Sequence, residues 1–455
     1  MNNYRSPISY RDPHGYVLEY ESIYYRIVDK TYTEQYKHLI ESGFYQELVS
    51  KKLITPFKEI SDLPLVINSI YKILLPEQLE FISYPYEWCF EQWKDCLNIF
   101  LRINKIALKY GMILKDATPF NFTLQKGRFI LFDILSFEFY KDGDPWIAYR
   151  QFCENFLAPI SLMRYKSSFW SKLYSASSNG IDLLFTSKSL PFSSYFNLNC
   201  LLHIHIHSFF MSKLQNQRKV EKKVLKKDQL QQLLHSLTIV SKWELKKTKN
   251  SFWNNYYEQE IQNKDYLKHK EQIVEEWLKK IQPQTITDLG ANTGKFSLLA
   301  AKYANRVVAI ESDLGSLKSI YKLSNEQENI YPICADLSDP SPGLGWINLE
   351  KKSLLNRIAS DATIALALIH HLRITNNIPI ELIAKFLSSI TNCHLILEYI
   401  PKSDEKIKFM LNHRYDNYYD YSMEIIEKTF NKYFDLTYKV SLNSSERILS
   451  LWSKK

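Results

Sequence analysis

One short stretch constrains this chain more than any other: Asp288-Leu289-Gly290-Ala291-Asn292-Thr293-Gly294-Lys295-Phe296-Ser297. Residues 285–289 form a short run with β-branched residues, and residues 296–303 are apolar and alanine-rich, as a helix packed on a sheet should be. The pattern predicts a strand, a tight turn and a helix. Two glycines four apart let the backbone turn sharply and approach a ligand closely. The new helix points unpaired N–H groups at the same place. The stretch therefore predicts a small-molecule site built largely from backbone.

The spacing narrows the ligand. A dinucleotide turn needs a third glycine for close helix packing and room for a pyrophosphate. Lys295, Phe296 and Ser297 supply none, and Gly294-Lys295-Phe296 lacks the Lys-Ser/Thr ending of a phosphate loop. The downstream strands carry acids at their ends. Residues 306–310 predict a second buried parallel strand ending in Glu311, with Asp313 as a nearby rival. An acid there can accept hydrogen bonds from both hydroxyls of a ribose. A third strand, residues 330–334, runs into Asp336. A fourth, residues 362–369, ends in His370-His371-Leu372, and a fifth, residues 394–399, carries Glu398. Residues 435–441 and 447–452 predict a closing hairpin. Strands alternating with helices predict an α/β fold with a doubly wound, mostly parallel sheet, whose ligands bind outside the carboxyl ends of the strands.

Asp-x-Gly-x-x-x-Gly followed by these acids resembles the class I S-adenosylmethionine (SAM)-dependent methyltransferases, over residues 263–455. The resemblance implies a Rossmann-like seven-stranded domain with a terminal antiparallel hairpin, and SAM as cofactor. It implies that Gly290, Asn292 and Gly294 border the methionine part, Asp288 orients its ammonium, Glu311 holds the ribose and Asp336 the adenine. The Asn/Asp-Pro-Pro-Tyr/Phe motif of base amino methylation is absent, as is a Pro-Cys nucleophile. His370 is the candidate catalytic base, with a cofactor-wall role as its alternative. His371 and Trp346 are candidate substrate contacts. Trp346 ends an insertion, residues 338–346, readable as a substrate lid or as a rigid proline loop.

At 455 residues the chain is too long for one such domain. We expect an N-terminal α+β domain over 1–200, a basic helical linker over 201–262 and the methyltransferase domain over 263–455. No run of about eighteen apolar residues exists, so no membrane span is expected. The polar N-terminus and six scattered cysteines suit a cytoplasmic protein with reduced thiols. The Asp12-Pro13-His14-Gly15 turn is read as a hairpin with strands on both sides. A long helix, residues 91–110, precedes Leu114-Lys115-Asp116-Ala117-Thr118-Pro119-Phe120-Asn121, and a strand then ends in Asp133. This order is similar to protein-kinase-like phosphotransferases, where Asp116 would position a hydroxyl while Asn121 and Asp133 held magnesium. Lys115 stands where His-Arg is usual, Phe-Gly does not follow Asp133, and no glycine-rich loop lies upstream. The resemblance thus implies a degenerate module that helps present substrate.

His203, His205 and His207 share one face if the segment is a strand and fan out if it is a helix. No second ligand pair with zinc spacing follows, and packing or a channel role is expected instead of a metal. Residues 213–249 carry much of the positive excess, including Arg218, Lys219, Lys222, Lys223, Lys226, Lys227, Lys242, Lys246, Lys247 and Lys249. Val220, Val224, Leu225, Leu230, Leu233, Leu234 and Leu237 are spaced for an amphipathic helix there. RNA is the alternative partner this helix suggests, and an RNA-modifying enzyme or a SAM-binding scaffold the alternative functions. Trp253, Tyr256 and Tyr257 are read as joining linker to core. The Asp116–Asn121 segment, Leu-His-x-His-x-His and Asp-Leu-Gly-Ala-Asn-Thr-Gly together resemble an uncharacterised bacterial methyltransferase family that is nodulation-protein-related. The expected acceptor is an oxygen or nitrogen of a small-molecule or glycan-like compound.

Overall fold

The computed structural model describes residues 5–61, 63, 70–214, 226–246, 264–411 and 418–455. Two compact units are present, Met1–Thr248 with Leu344–Lys351, and Lys249–Gly343 with Lys352–Lys455. Trp253, Tyr256 and Tyr257 lie outside the described residues, as do residues 215–225 and 247–249 of the basic segment.

The first unit is α+β. It opens with an antiparallel sheet of order β1-β2-β4-β3, formed by β1 (Gly15–Tyr20), β2 (Ile23–Asp29), β3 (Phe57–Ile60) and β4 (Ile70–Pro76). The β1–β2 turn is Glu21-Ser22, with φ of 50° and 64°. The hairpin expected at Asp12–Gly15 is therefore misplaced. Asp12 Oδ1 accepts from His14 N at 2.9 Å, a local turn preceded, among the described residues, by an isolated bridge between Arg5 and Leu18 and no named strand. The true turn carries no glycine or asparagine, so its left-handed backbone gave no sequence signal.

The helix Phe90–Lys109 buries Phe90, Trp93, Leu97, Phe100 and Leu101 at helical spacing. Its buried Asn104 receives Leu114 N on Oδ1 at 3.1 Å, which pins the chain just before Asp116. β5 (Met112–Leu114) pairs antiparallel with β8 (Phe137–Phe139), and β6 (Phe122–Gln125) with β7 (Arg128–Leu131). This brings the loop after β5 and the turn after β7 to one place. Of the expected basic helix, the described part is Lys227–Leu237, which buries Leu230, Leu234 and Leu237 within this unit. The three histidines lie in the wide helical turn Leu201–Ile206 and the start of the next helix, not in a strand.

The second unit holds one seven-stranded sheet of order β11-β10-β9-β12-β13-β15-β14. Its strands are β9 (Thr285–Leu289), β10 (Arg306–Glu311), β11 (Ile330–Cys334), β12 (Ser360–Ala365), β13 (Thr391–Tyr399), β14 (Phe434–Ser441) and β15 (Ile448–Lys454). β9 to β13 run parallel, and β15 pairs antiparallel with β13 and β14. The chain moves outward from β9 to β11, then returns to the other side of β9 as β12. That reversal is the switch point where ligands of such sheets bind. The central strands are buried on both faces, with Val307, Val308, Ala309 and Ile310 inaccessible to solvent. The fourth strand is shorter than expected. It stops at Ala365, because Ala367 turns left-handed at φ 49° and redirects the chain into the helix that carries His370.

Candidate functional site

Gly290 ends β9 at φ 71° and Asn292 follows at φ 49°. An asparagine tolerates that left-handed backbone better than most residues. The turn places Asn292 N against Glu311 Oε2 at 2.7 Å, so the acid at the end of β10 fastens the glycine turn of β9. Glu311 Oε1 accepts from Asp313 N at 2.8 Å. Burial pushes the Glu311 carboxyl up, and the backbone N–H groups of Asp313, Asn292 and Ser312 restrain that rise. Its rival Asp313 is engaged elsewhere. It caps the helix Leu314–Glu326 by accepting from Ser316 N at 2.8 Å.

A cleft of about 280 Å³ opens at the carboxyl ends of these strands. It gathers Asp288, Gly290, Asn292, Glu311, Asp336 and His371 from four strand ends. Asp288 is fully enclosed and accepts from Ser297 Oγ at 2.6 Å. Burial raises its carboxyl to about 6, against the opposing effect of Ser297. Asp336 holds the loop after β11 by accepting from Ser338 N at 2.9 Å and Ser338 Oγ at 2.7 Å. Two buried polar atoms on the cleft have no hydrogen-bond partner among the described residues: Asn292 Oδ1 and Ser316 Oγ. A buried group left unpaired costs about 1–3 kcal/mol, so these atoms favour a polar ligand that meets them.

Three expected site residues fall elsewhere. Gly294, at φ 87°, is absent from the cleft lining. An added Cβ would meet Leu323 Cδ1 at 2.9 Å and Ile320 Cγ1 at 3.2 Å, so this glycine serves helix packing. His370 is buried, does not line the cleft and leaves Nδ1 unpartnered. Burial, then His371, Arg447, Lys406 and Lys270, drive its imidazole well below the usual histidine range. The His371 ring lies 4.1 Å away and borders the cleft, and burial pushes it down to about 4. The helical turn after Ala367 thus presents the second histidine and turns the first inward. Trp346 belongs to the segment Leu344–Lys351 of the first unit and does not border the cleft. In that unit Glu350 Oε1 receives the Arg11 guanidinium at 3.1 Å.

Lys270 was missed from sequence. It lies in the apolar stripe Tyr266, Ile273, Val274, Trp277 and Leu278 of the helix Lys264–Ile281, and a lysine inside such a stripe was the available signal. It lines the cleft and donates to buried Glu398 Oε2 at 2.5 Å. Tyr266 donates to the other Glu398 oxygen, and Arg447 joins Tyr266 at 2.9 Å and Asp404 at 2.9 Å. This enclosed ionic network fixes the helix to β13 and β15. Ser316 and Phe296 are further cleft residues that no motif indicated.

The first unit holds a different acid cluster. Arg26 on β2 donates to Asp12 and, at 3.0 Å, to Asp133. Ser136 Oγ donates to Asp133 Oδ2 at 2.9 Å and receives Asn121 Nδ2 at 3.1 Å. Burial, then Asp133, raises the Asp116 carboxyl. The charge partner of Asp133 is a guanidinium, and the Asn121 amide is turned to a serine. Among the described residues no group of three or more His, Cys, Asp or Glu is placed to hold a metal ion. The magnesium that a kinase-like reading implies does not fit this arrangement. His203 Nδ1 lies 2.6 Å from the Tyr149 hydroxyl, while both nitrogens of His205 meet serine hydroxyls, Ser187 and Ser194, at 2.8 Å.

A seven-stranded sheet of this order, with its cleft at the switch beside β9, defines the second unit as a class I methyltransferase fold. No protein-family model matches the chain. Nearly the whole chain is similar to the nodulation protein NoeA of Rhizobium meliloti (strain 1021): 29% identical over 451 residues, covering 97% of this chain and 94% of that protein. Among solved structures, the N-methyltransferase NodS from Bradyrhizobium japonicum WM9 aligns with a TM-score of 0.32 at 8% identity, over 42% of this chain and 98% of that one. Magnesium protoporphyrin IX methyltransferase (ChlM) from Synechocystis PCC 6803 with bound SAH aligns at 0.31 and 14% identity, over 46% and 90%. Strand order, rather than these scores, assigns the fold.

Proposed function

We propose that the chain is a cytoplasmic SAM-dependent methyltransferase that modifies an oxygen or nitrogen of a small-molecule or glycan-like acceptor. The observation that carries this reading is the cleft itself. Carboxylates from three successive strand ends, Asp288, Glu311 and Asp336, meet there beside two unpartnered polar atoms. SAM, when bound, supplies a methyl group on a sulfonium that is a good leaving group.

Each role suits its residue. Glu311 Oε2 accepts from Asn292 N, and Oε1 from Asp313 N and, at 3.4 Å, from Ser312 Oγ, while a carboxylate has about four acceptor positions. One ribose hydroxyl can take the open position on Oε2, and a second can replace the long Ser312 contact on Oε1. Asp288, enclosed and costly to ionise alone, gains from a cationic ammonium. Asp336 and the backbone beside it suit an adenine amino group. Ala367 and Leu368 line the wall next to His371. His371 is neutral at pH 7 and a weak base, so alignment of the acceptor would supply more of the rate than proton removal. The similarity to a nodulation protein spans both units, which supports their acting as one protein. The first unit then serves as a substrate or regulatory module.

Titration calorimetry of the full chain with SAM tests the reading. Micromolar binding with release by S-adenosylhomocysteine is expected. Folded protein that takes up no heat would overturn it.

A further inference from the structure

The first unit exposes an apolar surface unlike the rest of the molecule. Three short elements build it: the helices Leu183–Ser189 and Phe192–Phe196, and the run from Leu198 to Leu214. They meet at buried His205, which bonds Ser187 on the first element and Ser194 on the second. Tyr195 also stacks on the His205 ring at 3.7 Å. These contacts make the three elements one supported platform.

The elements are apolar on two sides. Leu183, Leu190, Cys200 and Ile204 face inward and are buried. On the outside stand Phe185, Phe192, Phe196, Leu198, Phe209 and Phe210, with Phe192 75% and Phe196 81% exposed. Large apolar side chains left exposed together mark an interaction surface. Neighbouring rings pack edge to face outside the core: the Phe192 ring lies 5.7 Å from Phe196, and Phe209 5.9 Å from Phe210.

The charge around this platform selects the medium. Residues 165–214 contain Lys166, Lys172, Lys188 and Lys213, and Asp182 is their one acid. Asp182 caps the helix Leu183–Ser189 by accepting from Phe185 N at 2.8 Å, which holds this single acid at the helix start. Lys213 lies over the Phe209 ring at 4.4 Å and Lys172 over Phe169 at 5.5 Å. Lys246 reaches Ser193 Oγ, beside Phe192, at 3.3 Å. Aromatic tips ringed by lysines and almost free of acids match the acyl–headgroup boundary of an anionic bilayer. Lysine stems can lie along the rings while their ammonium groups reach lipid phosphates.

We propose that this face seats the protein on an anionic membrane surface, peripherally, with Phe192 and Phe196 as the inserted tips. No helix among the described residues is long and apolar enough to cross a membrane, so the contact is interfacial. The methyltransferase cleft belongs to the other unit.

Vesicle flotation of the full chain tests the proposal. The protein should float with phosphatidylcholine vesicles containing phosphatidylglycerol, and at least about tenfold less with pure phosphatidylcholine or in high salt. Phe192→Ser with Phe196→Ser should cut flotation about tenfold or more while SAM binding and thermal stability stay unchanged. Lys188→Glu with Lys213→Glu should lower binding to the anionic vesicles alone. Flotation equal on both vesicle types, or insensitive to the phenylalanine changes, would overturn the proposal. So would a lipid-independent dimer that the same changes dissolve, which would make the face a self-association surface.

Discussion

Each unit gathers carboxylates on or beside its strands, but the two groups spend their charge differently. In the second unit Asp288, Glu311 and Asp336 take their hydrogen bonds from hydroxyls and backbone N–H groups and leave a cleft in front of them. In the first, Asp12 and Asp133 close on the guanidinium of Arg26, whose side chain is 9% exposed. One site keeps unmet polar capacity for a ligand. The other already meets two of its acids with a guanidinium, although Arg26 Nε and Nη1 have no hydrogen-bond partner among the described residues. The difference shows why a motif match alone does not assign chemistry: Asp116, Asn121 and Asp133 have kinase-like spacing, and an arginine from β2 pairs with one of them, Asp133.

The strongest way to break that comparison is to remove the arginine. Arg26→Ala leaves two partly buried carboxylates facing each other without a cation, a change that costs about 3 kcal/mol. For a unit of this size that lowers the melting temperature by about 10 °C, readable by calorimetry. SAM affinity should be unchanged. If the variant instead keeps its stability and gains magnesium-dependent ATP binding, Arg26 is a plug in a nucleotide site and the two units are more alike than they look.

Glu311→Ala tests the other side. Two charge-assisted hydrogen bonds to a ribose, about 1.5 kcal/mol each, amount to roughly 100-fold in SAM affinity. Circular dichroism should show the sheet retained, although the Asn292 turn loses its anchor. A loss below about threefold would mean that Glu311 serves the turn alone.

Proton titration sharpens the comparison further. Asp288 sits at about 6, above the ordinary 3.8 of its side chain, because burial penalises its charge. Ionisation in the ligand-free protein is therefore unfavourable, and its contribution to stability improves as pH falls from about 6 toward 4. An ammonium ligand needs the ionised form, so SAM affinity should move the opposite way. At pH 5 roughly one molecule in eleven has Asp288 ionised, which predicts affinity about tenfold below that at pH 7.5. Asp288→Asn should remove most of this dependence. Affinity that is flat across the interval would show that Asp288 does not face the ammonium.

The sheet was legible because its central strands are short apolar runs with marked ends, and the acids at those ends follow from the same pattern. The parts that were not legible depend on backbone or partners that leave no local trace. Ala367 is an ordinary alanine in sequence, yet its left-handed turn ends β12 early and exchanges the places of His370 and His371. Lys270 read as one lysine among many until its helix face was known. Gly294 was assigned to the ligand because glycine serves close approach, and the approach it permits is that of Ile320 and Leu323. Arg26 gave no signal at all, since its partners lie 14 and 107 residues away.

The smallest expected effect belongs to Trp346, and it separates two meanings of the insertion after β11. The indole is 65% exposed and sits in a segment that folds with the first unit, where Glu350 is held by Arg11 and Lys351 lies over the Phe120 ring at 4.3 Å. Trp346 is not among the residues that line the cleft, so Trp346→Ala should change SAM affinity by less than about twofold, the ordinary scatter of a surface substitution. The same variant can still lose turnover once an acceptor is found. Unchanged SAM binding with reduced turnover would make Trp346 an acceptor contact contributed by the first unit's segment. Weakened SAM binding would instead mean that the segment closes on the cofactor, and the division of labour between the two units would have to be redrawn.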